Sequence, residues 1–129
     1  MTSGIEQTRA AVLRFAAGIM AADQWQITAA AAPDITWTVP GHGKISGTHY
    51  GPEEVYRFAW TLADFGYQID LQQLTFGTGD VAAVIRGTGT HDDHGIDVGQ
   101  VNILHLDGER ISAVRTCFSD TDSVDRYLA

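Results

Sequence analysis

Cysteine and lysine occur once each in this 129-residue chain, as Cys117 and Lys44. A single cysteine excludes an internal disulfide. With no Cys-His motif around it, Cys117 is expected to be a buried structural thiol. Basic residues are sparse. Eight stand against sixteen acidic ones, for a formal net charge of −8, and the seven arginines are scattered. Phosphate backbones need clustered Lys and Arg, so nucleic acid is not an expected partner. No apolar run approaches the roughly 18 residues of a membrane span, and no signal-peptide pattern is present. The expectation is a cytoplasmic protein with no membrane partner. Repeats, linkers and low-complexity segments are also missing, so one domain over residues 1–129 is expected. Metal-ligand spacing is absent, and no metal or cofactor is expected. The run His91-Asp92-Asp93-His94, followed by Gly95, lies between strand-like segments and reads as a polar hairpin turn.

The three prolines punctuate the first half. Ser3-Gly-Ile-Glu6 reads as a capping box. The helix it opens carries Ile5, Val12, Phe15, Ile19 and Met20 on one face and ends near Ala22. Asp23 caps a shorter helix to about Ala31, which Pro33 breaks. In Asp34-Ile-Thr-Trp-Thr-Val39 the apolar Trp37 and Val39 alternate with Thr36 and Thr38, as a half-buried strand requires. Pro40-Gly41 stops that strand. Gly51 and Pro52 suit the cap and first position of a third helix, with Glu53 and Glu54 at its positive end. Val55, Phe58, Ala59 and Leu62 form its apolar stripe.

After Tyr67 the period changes from helical to alternating. Tyr67–Phe76, Val81–Thr90, Ile96–Leu106 and Arg110–Phe118 read as four strands. Asp107-Gly108 is the strongest hairpin signal between them. Asp120 or Thr121 caps a last short helix ending at Tyr127-Leu128, which either covers an opening or frays. Helices first and a long meander afterwards imply an α+β fold, with helices packed on one face of a curved, mainly antiparallel mixed sheet.

This order of elements, the Trp-x-Val-Pro-Gly turn, the Gly-x-x-Tyr-Gly-x-Glu-Glu-Val helix start and the Asp-Gly-Glu-Arg-Ile hairpin resemble the SnoaL-like and nuclear transport factor 2-like superfamily. Its members include polyketide cyclases, steroid isomerases and limonene epoxide hydrolases. The resemblance implies a cone-shaped fold with an interior pocket. It also implies where relatives place their chemistry. The ketone-polarising tyrosine and acid of steroid isomerases fall on Phe15 and Asn102. Their proton-moving carboxylate falls on Val39, and the water-activating aspartate of the epoxide hydrolases falls on Thr116. None of these four positions carries an acidic group, so neither mechanism is expected.

Strand parity places Val114, Thr116 and Phe118 on one face and Gln100, Asn102, Leu104 and Leu106 on another, both suited to a pocket wall. Arg115 and Cys117 share the opposite face. Gly87 and Gly89 lie with Ala83 and Ile85, where they either leave space or mark a bend. The expected pocket is lined by Phe15, Trp37, Val39, Phe58, Leu104, Thr116 and Phe118. Gln100 and Asn102 serve there as oxyanion donors, or else satisfy backbone groups. His42, after Pro40-Gly41, is the candidate base at the rim, or a solvated loop residue. His49 is expected to be exposed and His105 to face away. Arg86 and Asp97 would pair on the outer face, which with Thr88, Thr90, Val101 and Ile103 is the expected homodimer surface. The expected function is a cofactor-independent cyclase, isomerase or dehydratase acting on an apolar, oxygenated, polyketide-like molecule. A non-catalytic ligand-binding or assembly module is the alternative.

Overall fold

The computed structural model describes residues 4–129. Ser3, and with it the expected capping box, lies outside the described residues. Four helices and six strands follow in the order α1 (Gly4–Ala21), α2 (Gln24–Ala30), β1 (Ala31–Val39), β2 (Gly47–Tyr50), α3 (Gly51–Asp64), β3 (Gln68–Phe76), β4 (Asp80–His91), β5 (His94–Asp107), β6 (Arg110–Phe118) and α4 (Thr121–Tyr127). The six strands make one mixed sheet in the order β2-β1-β6-β5-β4-β3. Only β1 and β6 run parallel. Helices against a curved, mostly antiparallel sheet give the α+β cone.

Local chemistry explains most boundaries. The Asp23 carboxylate accepts the Gln26 N–H and opens α2. Asp120 does the same for Ser123 at α4. Helix α3 begins one residue earlier than expected, with Tyr50 as its cap. Glu54 reaches back to accept the Tyr50 N–H at 2.9 Å. Its apolar stripe, Val55, Phe58, Ala59 and Leu62, is buried as its spacing implies. Asp92 and Asp93 both adopt positive φ, which tightens the His91–His94 turn. Among the described residues, no three His, Cys, Asp or Glu side chains gather as a metal group, and no helix is long and apolar enough to cross a membrane.

Four expectations are corrected. Pro33 is not what breaks the second helix; α2 ends at Ala30, and Pro33 lies inside β1, which starts directly after it. The pairing of β1 with β6 slips between Ala31 and Thr36, and a proline without an N–H is tolerated at such an irregularity. Ile5 and Met20, placed on the buried face of α1, are 52% and 59% exposed. Cys117 is exposed on the outer sheet face, because it alternates with buried Thr116. His49 is half-buried rather than exposed, packed 5.0 Å from the Phe58 ring. On the same outer face the Arg86 guanidinium donates to Asp97 across strands at 2.8 Å. His105, also facing outward, donates to Asp80 at 2.8 Å.

Helix α4 does not fray. Val124, Tyr127 and Leu128 are buried. The Asp125 carboxylate accepts the N–H groups of His42 and Gly43 at 2.9 and 3.1 Å. It thereby pins the β1–β2 loop to the last helix. Hydrogen bonds to a charged acceptor contribute more than neutral ones, so Asp125→Ala is expected to cost about 2 kcal/mol. Thermal melting should show this as a fall of roughly 5–10 °C for a domain of this size. An unchanged melting temperature would mean that α4 is held by its apolar residues alone.

Candidate functional site

The interior of the cone is mostly filled. Trp37 on β1 stacks against Phe15 of α1 and Phe58 of α3, with ring centroids 5.7 and 4.7 Å away. What remains open is an apolar hollow of about 40 Å³ under α1. Phe15, Trp37 and Leu104, all expected in the pocket, do line it, and Asn102 is its one polar wall. Ile19, Met20 and Ile69 are shared with a wider cleft of about 260 Å³ between α1, α3 and β3. Tyr67 lines that outer cleft.

A buried polar chain runs behind the hollow. The Trp37 indole N–H donates to Thr116 Oγ1 at 2.8 Å. Indole is only a donor, so the Thr116 hydroxyl proton is free to go onward, and it does so to Asn102 Oδ1 at 2.8 Å. Gln100 Nε2 donates to the same Oδ1 at 3.1 Å. The Tyr67 hydroxyl completes the chain by donating to Gln100 Oε1 at 2.7 Å. Two donors therefore saturate the Asn102 carbonyl and orient its carboxamide. Its Nδ2 group has no protein acceptor among the described residues, yet no fully buried side-chain polar atom lacks a partner. The amino group therefore keeps accessible surface, and Asn102 lines the hollow. Gln100 and Asn102 satisfy side chains here rather than backbone groups.

Other expected site residues lie elsewhere. Val39 is buried and Phe118 half-buried, both packed with the core outside the hollow's lining. Phe58 stands behind Trp37 and lines a different cleft, beside α3. His42 is exposed; its backbone, not its ring, is engaged by Asp125. Of the two histidines near this loop, the one with its ring held in place is His49, whose Nε2–H donates to the Ile45 carbonyl at 2.7 Å.

Tyr67 was missed as a site residue, although its parity with Ile69 and the two glycines opposite carried the signal. No bulge marks Gly87 and Gly89 in the β4–β5 pairing, which keeps unbroken register from Asp80 to His91. The glycines do leave space, and the protein's own tyrosines fill it. A Cβ at Gly87 would stand 1.8 Å from the Tyr67 hydroxyl oxygen, and one at Gly89 would stand 2.5 Å from that of Tyr127. Burial pushes the Tyr67 phenol well above its ordinary pKa of 10.0, with the neighbouring Tyr127 adding to the shift. Tyr67 is thus a fixed proton donor at neutral pH and not a base. The sign of the linkage follows. Stability is complete below pH 10 and falls as pH rises above the unfolded phenol's pKa, by up to about 1.4 kcal/mol per pH unit for one such group. Urea midpoints measured from pH 9 to 11.5 should decline, and Tyr67→Phe should flatten the decline. An equal slope in that variant would remove Tyr67 as its source.

Comparison with solved structures is consistent at the level of fold. Bal32a, from a soil-derived mobile gene cassette, superposes with a TM-score of 0.89 at 21% identity, covering 96% of this chain and 98% of that one. An NTF2-like protein from Burkholderia xenovorans LB400 gives 0.83 at 20% identity, over 96% and 97%. A SnoaL-like protein from Jannaschia sp. CCS1, assigned as a polyketide cyclase, gives 0.81 at 18% identity, over 99% and 96%. No family model matches the sequence. No curated protein matches it either. The helix-on-curved-sheet architecture and these superpositions together show that the chain has the NTF2-like fold, which SnoaL-like proteins share.

Proposed function

We propose that the cone binds a compact, apolar, oxygenated molecule and promotes its cyclisation or rearrangement, with the Asn102 amino group stabilising a carbonyl or developing oxyanion. The observation that carries this reading is the carboxamide itself: its oxygen is doubly occupied, its nitrogen has no acceptor among the described residues, and Asn102 lines an apolar hollow. In a dry site a fixed donor of this kind is worth roughly 3 kcal/mol to a transition state. Size restricts the ligand. A hollow of about 40 Å³ holds little more than a carbonyl or hydroxyl head, so the body of the ligand would occupy the cleft of about 260 Å³ past Met20. Similarity in fold to a protein assigned as a polyketide cyclase supports the same substrate class.

Proton movement would have to come from the substrate's own acidic positions or from water. No residue lining the hollow titrates, and Tyr67 behind it only donates. That same feature favours a second reading, a ligand carrier without catalysis. Native mass spectrometry of the purified chain against a panel of hydroxylated ring ketones and short polyketones separates the two. Enzyme action predicts a product of changed structure, formed faster than in buffer. A carrier returns the ligand unaltered. No binding anywhere in the panel, in a protein shown to be folded, would sink both.

A further inference from the structure

On the far side of α3 lies a second cleft, of about 280 Å³, which shares no lining residue with the hollow or its outer cleft. Its floor is Phe58 and Ile45, both buried. Its rim carries Lys44, His49, Glu54 and Arg57. We propose that this cleft is a small-molecule site for a compact monocarboxylate with a flat apolar body and a hydroxyl group, the chemistry of a hydroxylated aromatic acid.

The charge arrangement points to an anion. Acidic residues outnumber basic ones sixteen to eight, yet among the described residues the sole lysine pairs with no carboxylate. Its ammonium rests instead 4.9 Å from the centre of the Phe65 ring. Arg57 pairs with Glu53 one turn away, with both side chains 69% exposed. Such a pair is weak, and the guanidinium keeps further N–H donors for a ligand carboxylate. Glu54 also lines the cleft and would repel an anion; its carboxylate accepts the Tyr50 N–H and so is drawn toward the start of α3. One ammonium and one half-engaged guanidinium suit a single negative charge. A polyphosphate would need more, and the net charge of −8 opposes it.

His49 supplies the second recognition element. Because a carbonyl only accepts, its bond to Ile45 puts a proton on Nε2, and in the neutral ring Nδ1 is then an acceptor with no partner among the described residues. A ligand hydroxyl can donate to it. The flat body would rest against His49 and the exposed edge of Phe58, which packs between His49 and Trp37. Occupancy of this cleft is therefore felt at the indole N–H that anchors the interior polar chain.

The test is a titration of the isotope-labelled full chain by NMR with benzoate, 4-hydroxybenzoate and benzamide. Saturable shifts are expected at His49, Phe58 and the Trp37 indole, with a benzoate Kd of about 1 mM or tighter. The 4-hydroxy acid should bind several-fold more tightly, and benzamide at least about tenfold more weakly. Lys44→Gln, an exposed change, should weaken benzoate by about tenfold and Arg57→Gln by several-fold. The proposal is overturned by the absence of saturable shifts, or by benzamide binding as well as benzoate. It is equally overturned by a Kd that Lys44→Gln leaves unchanged, or by shifts confined to Ile19, Met20 and Ile69.

Discussion

Gly87→Ala should destabilise the protein by about 3 kcal/mol and lower its melting temperature by roughly 10 °C, a large effect for one added methyl group. The methyl would overlap the Tyr67 ring as well as its hydroxyl, since the ideal Cβ lies 2.4 Å from the ring carbon that bears the oxygen. Tyr67 cannot swing aside cheaply. It is buried, and its hydroxyl is bonded to Gln100. Displacing it leaves a buried amide oxygen without its donor, which alone costs about 1–3 kcal/mol. A double-mutant cycle distinguishes this account from a general weakening of β4. If the tyrosine is the obstacle, adding Gly87→Ala to Tyr67→Ala should cost almost nothing further. A wild-type melting temperature for Gly87→Ala, or full additivity in the cycle, would show that Tyr67 does not depend on this glycine.

The same pair of positions shows where sequence reading ends. Alternation along β4 placed Gly87 and Gly89 on the inner face and identified the space they leave. It could not say what fills that space, because Tyr67 and Tyr127 come from the start of β3 and from α4. Their approach depends on how the sheet curves. Periodicity served well wherever one residue's direction fixes the next. It put Asn102, Gln100 and Thr116 inward, Arg86 and Asp97 outward and paired, and α1 and α3 against the sheet. It also set Cys117 beside Arg115 on the outer face, and that placement holds over the general tendency of thiols to be buried. Loops have no period. His42 lies in the β1–β2 loop and His49 in the four-residue strand that follows it, too short a strand for alternation to fix which way its ring turns. The Asp125 carboxylate that orders the loop lies about 80 residues away, as the contact between positions 43 and 125 spans 82. The expected base was therefore placed on an exposed ring, while the anchored ring was taken for a surface one.

On the proposed enzymatic reading, Asn102→Leu should reduce kcat/KM by about a hundredfold, close to the 3 kcal/mol that a fixed oxyanion donor supplies. Leucine keeps the side chain's approximate size, so the hollow neither grows nor closes. The substitution also strips the acceptor from Thr116 and Gln100, and stability should fall by about 2 kcal/mol for that reason alone. A second variant separates the two effects. Thr116→Val breaks the chain at its contacts with Trp37 and Asn102 but leaves the Nδ2 group in place. It should cost similar stability while lowering kcat/KM only several-fold, through a less firmly oriented carboxamide. If Asn102 acts on the substrate, kcat falls far more in the leucine variant than in the valine one, at temperatures where both are folded. Equal losses in the two variants would make Asn102 a packing and hydrogen-bonding residue only. Product formation unchanged in both would move the chemistry out of this hollow altogether. Binding without turnover in the wild-type chain, weakened by Asn102→Leu, would instead establish the same amide as the recognition element of a carrier.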